Sequence, residues 1–281
     1  MLAFALILLL QSVQAYEVDN FTGRALLSQD ALPVLDLKIN GILERAGREA
    51  SNETQGFCSV AVLRQEILRW IRPDPTGILE LWIEFTDSVE KTPIGVRSSV
   101  YRDISFFDSP IMRVFGIGRS FKLGGQIIGT DKIGHFFMQG LDFYDRVRDG
   151  TPIEQVLANE HGEDGIWGLG TSGVKSWADI AANYQGFRFW SRLVAGEGRY
   201  FRCEEDGRWV REAAFTWADY VNPAWDEALN CSDMNSGIRS KVDRELQSRG
   251  VTCPVDPGVC EVLSKLEYAD HLVSPVCRKR R

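Results

Sequence analysis

The chain has 281 residues, 44% of them hydrophobic, enough to bury about three quarters of the surface its unfolded form exposes. Its net charge of -7 and isoelectric point near 5.2 exclude the basic footprint that a nucleic-acid partner needs. Length alone predicts one domain of about 200 residues with a smaller appendage.

In chain order, Leu2 to Leu10 is apolar throughout, and Val13-Gln14-Ala15 fits the small-x-small pattern of an export-signal cleavage site. The run is too short to span a bilayer. No Cys stands at the cleavage point, so a lipid anchor is not expected, and no later stretch is long and apolar enough for a transmembrane helix. The chain is therefore expected to be periplasmic or secreted, with a signal at 1–15, a helical domain over 16–198 and a Cys-rich portion over 199–281. All six cysteines (58, 203, 231, 253, 260 and 277) follow the signal, and in an oxidising compartment an even number favours disulfides. Their pairing is open, because six cysteines allow 15 connectivities. With no C-x-x-C, zinc-ribbon and thioredoxin readings find no support. The sequons at Asn20, Asn52 and Asn230 are short enough to arise by chance.

Apolar residues at helical spacing predict helices over Leu32 to Arg48 and Val60 to Ile71, the second stopped by Pro73 and Pro75. Ile78 to Phe85 is ambiguous: Leu79, Leu81, Ile83 and Phe85 alternate as in a strand, yet a short helix fits too. Gly124-Gly125 predicts a hairpin over Arg119 to Ile128. Thr130 is expected to cap a helix running toward Gly150, and a further helix runs from Pro152 to about Glu160. Gly162 to Gly173 reads as a loop. Ser176 opens a helix reaching about Val194, and Asp206-Gly207 turns a hairpin over Arg199 to Arg211. Short helical pieces follow. The predicted fold is mainly α with short β-hairpins: a single helical globular domain with a disulfide-stapled C-terminal portion.

The chemistry gathers on two of these helices. Asp131, His135, Gln139 and Asp142 form a polar stripe on the first. On the later helix Asp179, Asn183 and Gly186 align the same way. Gly186 leaves room for another backbone. If the stripes meet, Asp131 or Asp179 would orient His135, as a carboxylate does for a catalytic or metal-bound imidazole. Asp131, His135, Asp179 and Asn183 could then hold one divalent ion, with manganese, iron, magnesium and zinc all suited about equally badly. Glu160 or Glu163 could serve as general acid or base. Plainer readings compete. Asp131 suits a helix N-terminus, and Ser176-x-x-Asp179 resembles a capping box. The same Ser/Thr-Trp-Ala-Asp string recurs at Thr216-Trp217-Ala218-Asp219, Asn183 could tie helices together, and His135 could be a satisfied core histidine. His161 and His271 read as surface residues.

Asp131, Lys132, His135 and Phe136, followed by Ser176, Asp179, Asn183 and Gly186, resemble the ordered motifs of VanZ-like and YfiM-like bacterial envelope proteins. The resemblance covers residues 129–190. It implies a cell-envelope setting and no settled reaction. VanZ-like proteins carry these motifs in transmembrane helices, which this chain lacks the apolar length to form. A second likeness, Glu160 followed by Gly165-Ile166-Trp167-Gly168-Leu169-Gly170-Thr171, resembles lysozyme-like glycan hydrolases, where a Glu ends a helix before a Gly-rich hairpin. The leading expectation is an exported envelope protein whose polar inter-helix site is structural or binds a ligand, with envelope glycan or lipid as partner class. The alternatives are a metal-assisted hydrolase of envelope phosphate or glycan, with His135, Asp179 and Glu160 as its catalytic groups, and a lysozyme-like glycosidase using Glu160.

Overall fold

Helical periodicity becomes structure almost everywhere it was strong. The computed structural model describes residues 17–72, 78–167 and 172–278, so the export-signal reading at 1–15 lies outside the described residues. About 52% of the chain is helical. Leu35, Ile39, Ile42, Leu43, Ala46 and Ala50 bury one face of α1 (Leu32–Thr54). Ser59 opens α2 (Val60–Ile71), its hydroxyl accepting from the Val62 amide at 3.3 Å.

The ambiguous stretch is a helix, α3 (Ile78–Phe85). Helical geometry splits the apparent strand face. Leu79 and Ile83 go inward, while Leu81 and Phe85 stay exposed. After α4 (Pro110–Phe115) comes the expected hairpin, β1 (Ser120–Leu123) with β2 (Gln126–Gly129). Gly124 and Gly125 turn it with φ of 56° and 82°, both in the left-handed region that a tight two-residue turn needs.

The central helix α5 runs from Lys132 to Arg148 and contains a π turn at His135–Gln139. Thr130 does not cap it. Its hydroxyl donates instead to Glu84 at 3.0 Å, a tertiary partner that outcompetes the local one. Next, α6 (Ile153–Trp167) passes through Gly162 and Gly165, so the expected loop starts later than predicted. A helical glycine costs only about 1 kcal/mol relative to alanine, too little to end a supported helix. Residues 168–171 of that loop lie outside the described residues.

Ser176 opens α7 (Trp177–Ser191) as expected, accepting from the Asp179 amide at 3.3 Å. Just before it, β3 (Val174–Lys175) pairs over two residues with β6 (Asp233–Met234), and after it comes the predicted hairpin of β4 (Phe201–Cys203) with β5 (Trp209–Arg211). The chain ends in α8 (Ser236–Ser248), longer than the short pieces expected there, then α9 (Val259–Leu263), α10 (Ala269–Leu272) and α11 (Pro275–Arg278).

The disulfides are Cys58–Cys203, Cys231–Cys253 and Cys260–Cys277. Two staple the C-terminal portion internally. The first reaches back 145 residues to the α1–α2 connection, a loop whose closure restrains the unfolded chain by about 5 kcal/mol in the chain-entropy picture. Three disulfides fit an exported protein, and no helix of the described residues is long and apolar enough to cross a membrane.

The centre of the molecule is the crossing of α5 and α7. A Cβ built on Gly186 would fall 1.8 Å from the Phe136 carbonyl oxygen, and one on Gly140 2.5 Å from the Gly186 Cα. The two backbones therefore touch, as the missing side chain of Gly186 led us to expect. Phe136 then sits inside an aromatic cluster, its ring centroid 4.9 Å from Trp217, 5.2 Å from Tyr220 and 5.5 Å from Phe189. This core draws on residues from both sides of position 198.

Candidate functional site

Close contact of α5 with α7 brings the two polar stripes together. His135 Nε2 lies 3.2 Å from Asp179 Oδ2. Its other ring nitrogen, Nδ1, lies 3.0 Å from Asn183 Oδ1. The Asn183 amide in turn donates to Glu160 Oε1 on α6 at 3.2 Å. Four side chains from three helices thus form one continuous chain: Asp179, His135, Asn183, Glu160. The π turn begins at His135, and such turns frequently mark functional positions.

Beneath this chain lies a feature the sequence reading did not assign to the site. Lys132 is 0% exposed. Its ammonium stands 2.6 Å from Asp131, 2.6 Å from Asp179 and 2.7 Å from Glu227. Ser176 joins them, its hydroxyl donating to the same Glu227 oxygen at 2.9 Å while capping α7. The Ser-Trp-Ala-Asp string therefore has two uses. At 176–179 the serine starts the helix and the Asp179 carboxylate points away into the site. At 216–219 Thr216 caps a short 3-10 turn and Asp219 pairs with Arg192 at 3.4 Å.

Carboxylates outnumber cations here. Burial pushes Glu17 up to about 8, with Glu227 and Asp179 adding repulsion. Burial likewise raises Glu227 to about 7 against the pull of Lys132. Glu80 rises to about 8, burial first and the neighbouring Asp131 second. Asp131 is raised by burial although Lys132 opposes it. Asp179 is the exception: burial would raise it, but His135 and Lys132 outweigh that and hold it below its ordinary value. The Lys132 ammonium is held well above its usual range because its three carboxylates outweigh its own burial.

The site is open at one edge. His135 and Asp179 side chains keep 16% and 22% of their exposure. Farther along the stripe, Gln139, Asp142, Arg146 and Glu160 line a surface cavity of about 270 Å³. Glu160 lies inside α6 rather than at a helix end, unlike the lysozyme-like arrangement. The side chains of Glu163 and His161 lie outside the described residues. His271 is half-buried rather than a surface residue. Asn20 and Asn230 are fully buried and donate to backbone carbonyls, so of the three sequons only Asn52 is exposed.

Two chemical consequences follow. Both His135 nitrogens are engaged, and neither a hydroxyl nor a thiol hydrogen-bonds the ring, so a nucleophile–base pair of the serine-hydrolase kind is not assembled among the described residues. A metal has a partial fit. Asp131, His135 and Asp179 offer ligand atoms within 4.8 Å of one another, and the buried Asp131 Oδ1 has no hydrogen-bond partner. Asn183 meets the ring nitrogen that faces away from Asp179, which takes it out of that ligand group. Lys132 already supplies a positive charge between Asp131 and Asp179, so an added ion would share those carboxylates with it.

Glu17, Glu80 and Glu227 escaped sequence reasoning, and Lys132 entered it only as a motif residue. The Glu80 and Glu84 pair, four apart, carried a signal, since in the helical alternative for Ile78 to Phe85 the two share one face. Comparisons with family models, with curated proteins and with solved structures find no match to this chain.

Proposed function

We propose that this is an exported cell-envelope protein whose inter-helix site binds a neutral, hydroxyl-rich ligand of the envelope-glycan class. The observation that carries the reading is the half-open chain of Asp179, His135, Asn183 and Glu160, which leads into the cavity lined by Gln139, Asp142 and Arg146. Carboxylates and carboxamides held in fixed orientation suit the hydroxyls of a sugar. Lys132 acts from below as the charge that keeps Asp131, Asp179 and Glu227 together. The local excess of carboxylates repels a phosphate group, which weighs against a phosphate ligand unless a cation is added. Three disulfides and the resemblance to VanZ-like and YfiM-like proteins support the envelope setting.

The test is calorimetric titration with uncharged N-acetylglucosamine oligomers, using wild type, Glu160→Gln and Asp179→Asn. Binding that weakens by about tenfold or more in each variant, with no release of reducing ends, agrees with the proposal. Absence of binding by the wild type overturns it. So does a hydrolysis that His135→Ala abolishes without loss of folding stability.

A second reading, the metal-assisted hydrolase, rests on the Asp131, His135 and Asp179 grouping. In that reading the ion would polarise a substrate oxygen or bound water. Elemental analysis of the purified protein before and after chelation separates the two: a stoichiometric divalent ion whose removal ends an activity favours the second.

A further inference from the structure

The helix α3 is apolar on two opposite sides. Leu79 and Ile83 are buried, while Ile78, Leu81 and Phe85 on the other side are 42%, 40% and 74% exposed. Its only charged residues, Glu80 and Glu84, turn toward the site: Glu84 pairs with Arg119 at 3.0 Å and accepts from Thr130, and Glu80 lies against Gly134. A helix apolar nearly all round is normally buried in protein or in lipid.

Its outer side continues onto α1. There Leu37 is 77% exposed and borders an apolar groove of about 430 Å³ that also takes in Trp70 of α2 and Trp82 of α3. Two cations stand over these indoles, the Lys38 ammonium 4.5 Å from the Trp82 ring centroid and the Arg45 guanidinium 3.9 Å from that of Trp70. Lys38 and Arg45 are seven residues apart, two turns along one face of α1. In a chain of net charge -7 this face gathers exposed leucine and phenylalanine, two tryptophans and two cations, with one carboxylate, Glu49, at its edge 3.9 Å from Arg45. That is the composition of a surface lying at a bilayer interface, with apolar side chains at the acyl boundary and cations among anionic headgroups.

We propose that the α1–α3 face docks the protein peripherally on an anionic phospholipid bilayer. Charge selects this occupant over a second copy of the chain, because a twofold contact across the face would bring Lys38 and Arg45 of two molecules together. Glu80 and Glu84, on the flank of α3 between its buried and exposed sides, face the polar site, so docking would hold that site near the lipid surface. The inference does not depend on the ligand of that site.

Flotation of the full disulfide-bonded chain with vesicles of equal parts phosphatidylcholine and phosphatidylglycerol, against pure phosphatidylcholine, tests it. The wild type floats with the anionic vesicles, less so at high salt. Leu37→Asp with Phe85→Asp abolishes flotation on the anionic vesicles. Lys38→Glu with Arg45→Glu reduces the anionic partition by roughly tenfold or more. All four positions lie on the rim or surface, and unchanged melting curves confirm folding. A wild type that stays off anionic vesicles, variants that float like it, or a wild-type dimer in the ultracentrifuge that the Leu37 and Phe85 changes dissociate would each overturn the proposal.

Discussion

Replacing Lys132 by methionine keeps an unbranched stem of similar length and removes only the ammonium. In the folded protein that charge is fully buried and lies within 2.7 Å of Asp131, Asp179 and Glu227. Removing one member of a buried ion pair typically costs 3–5 kcal/mol, because the partner is left uncompensated; with three carboxylates affected, we expect about 5 kcal/mol. For a protein of this size that is a fall in Tm of about 10–20 °C. Protonation softens the loss. Burial already holds Glu227 up to about 7 and raises Asp131, so both take up protons readily once the lysine is gone. The deficit should therefore be larger at about pH 8 than at about pH 5. Differential scanning calorimetry of the oxidised protein at the two pH values reads both numbers. A variant melting within about 2 °C of wild type at the higher pH, or one with the same deficit at both, would refute the view of Lys132 as the charge that holds the site together.

Gly186→Ala should destabilise by about 3 kcal/mol or more in urea melts, since its Cβ would fall 1.8 Å from the Phe136 carbonyl oxygen. Gly41→Ala, with nothing within 4 Å, should instead gain about 0.5–1 kcal/mol; equal effects at the two sites would contradict the α5–α7 contact. Wild-type stability should fall as pH rises from about 5 to about 8. Glu17, Glu80 and Glu227 are held at about 8, 8 and 7, above their ordinary 4.5. Between those limits the folded chain binds more protons than the unfolded one, so each group lowers stability by up to about 1.4 kcal/mol per pH unit. A flat or rising chemical-denaturation profile over that range would exclude the buried carboxylate cluster.

The turns and most helices of this protein were legible in its residues because their causes are local. Gly124-Gly125 and Asp206-Gly207 can enter the left-handed region that a tight turn requires and most residues avoid, with Gly207 at φ 80°. The four-residue spacing of Asp131 with His135, and of Asp179 with Asn183, places each pair on one helical face in any helix. The bare Cα of Gly186 marked where a neighbouring backbone would pass. What only the tertiary structure decided has no local cause. Alternation in Ile78 to Phe85 fitted strand and helix alike until burial of Leu79 and Ile83 chose the helix. The pairing of Cys58 with Cys203 spans 145 residues. The ion pair of Lys132 with Glu227 spans 95, and a side chain that would be solvated in any isolated helix is fully buried by it. Short-range sterics write themselves into neighbouring residues, whereas electrostatic compensation between distant ones exists only once packing has excluded water from between them.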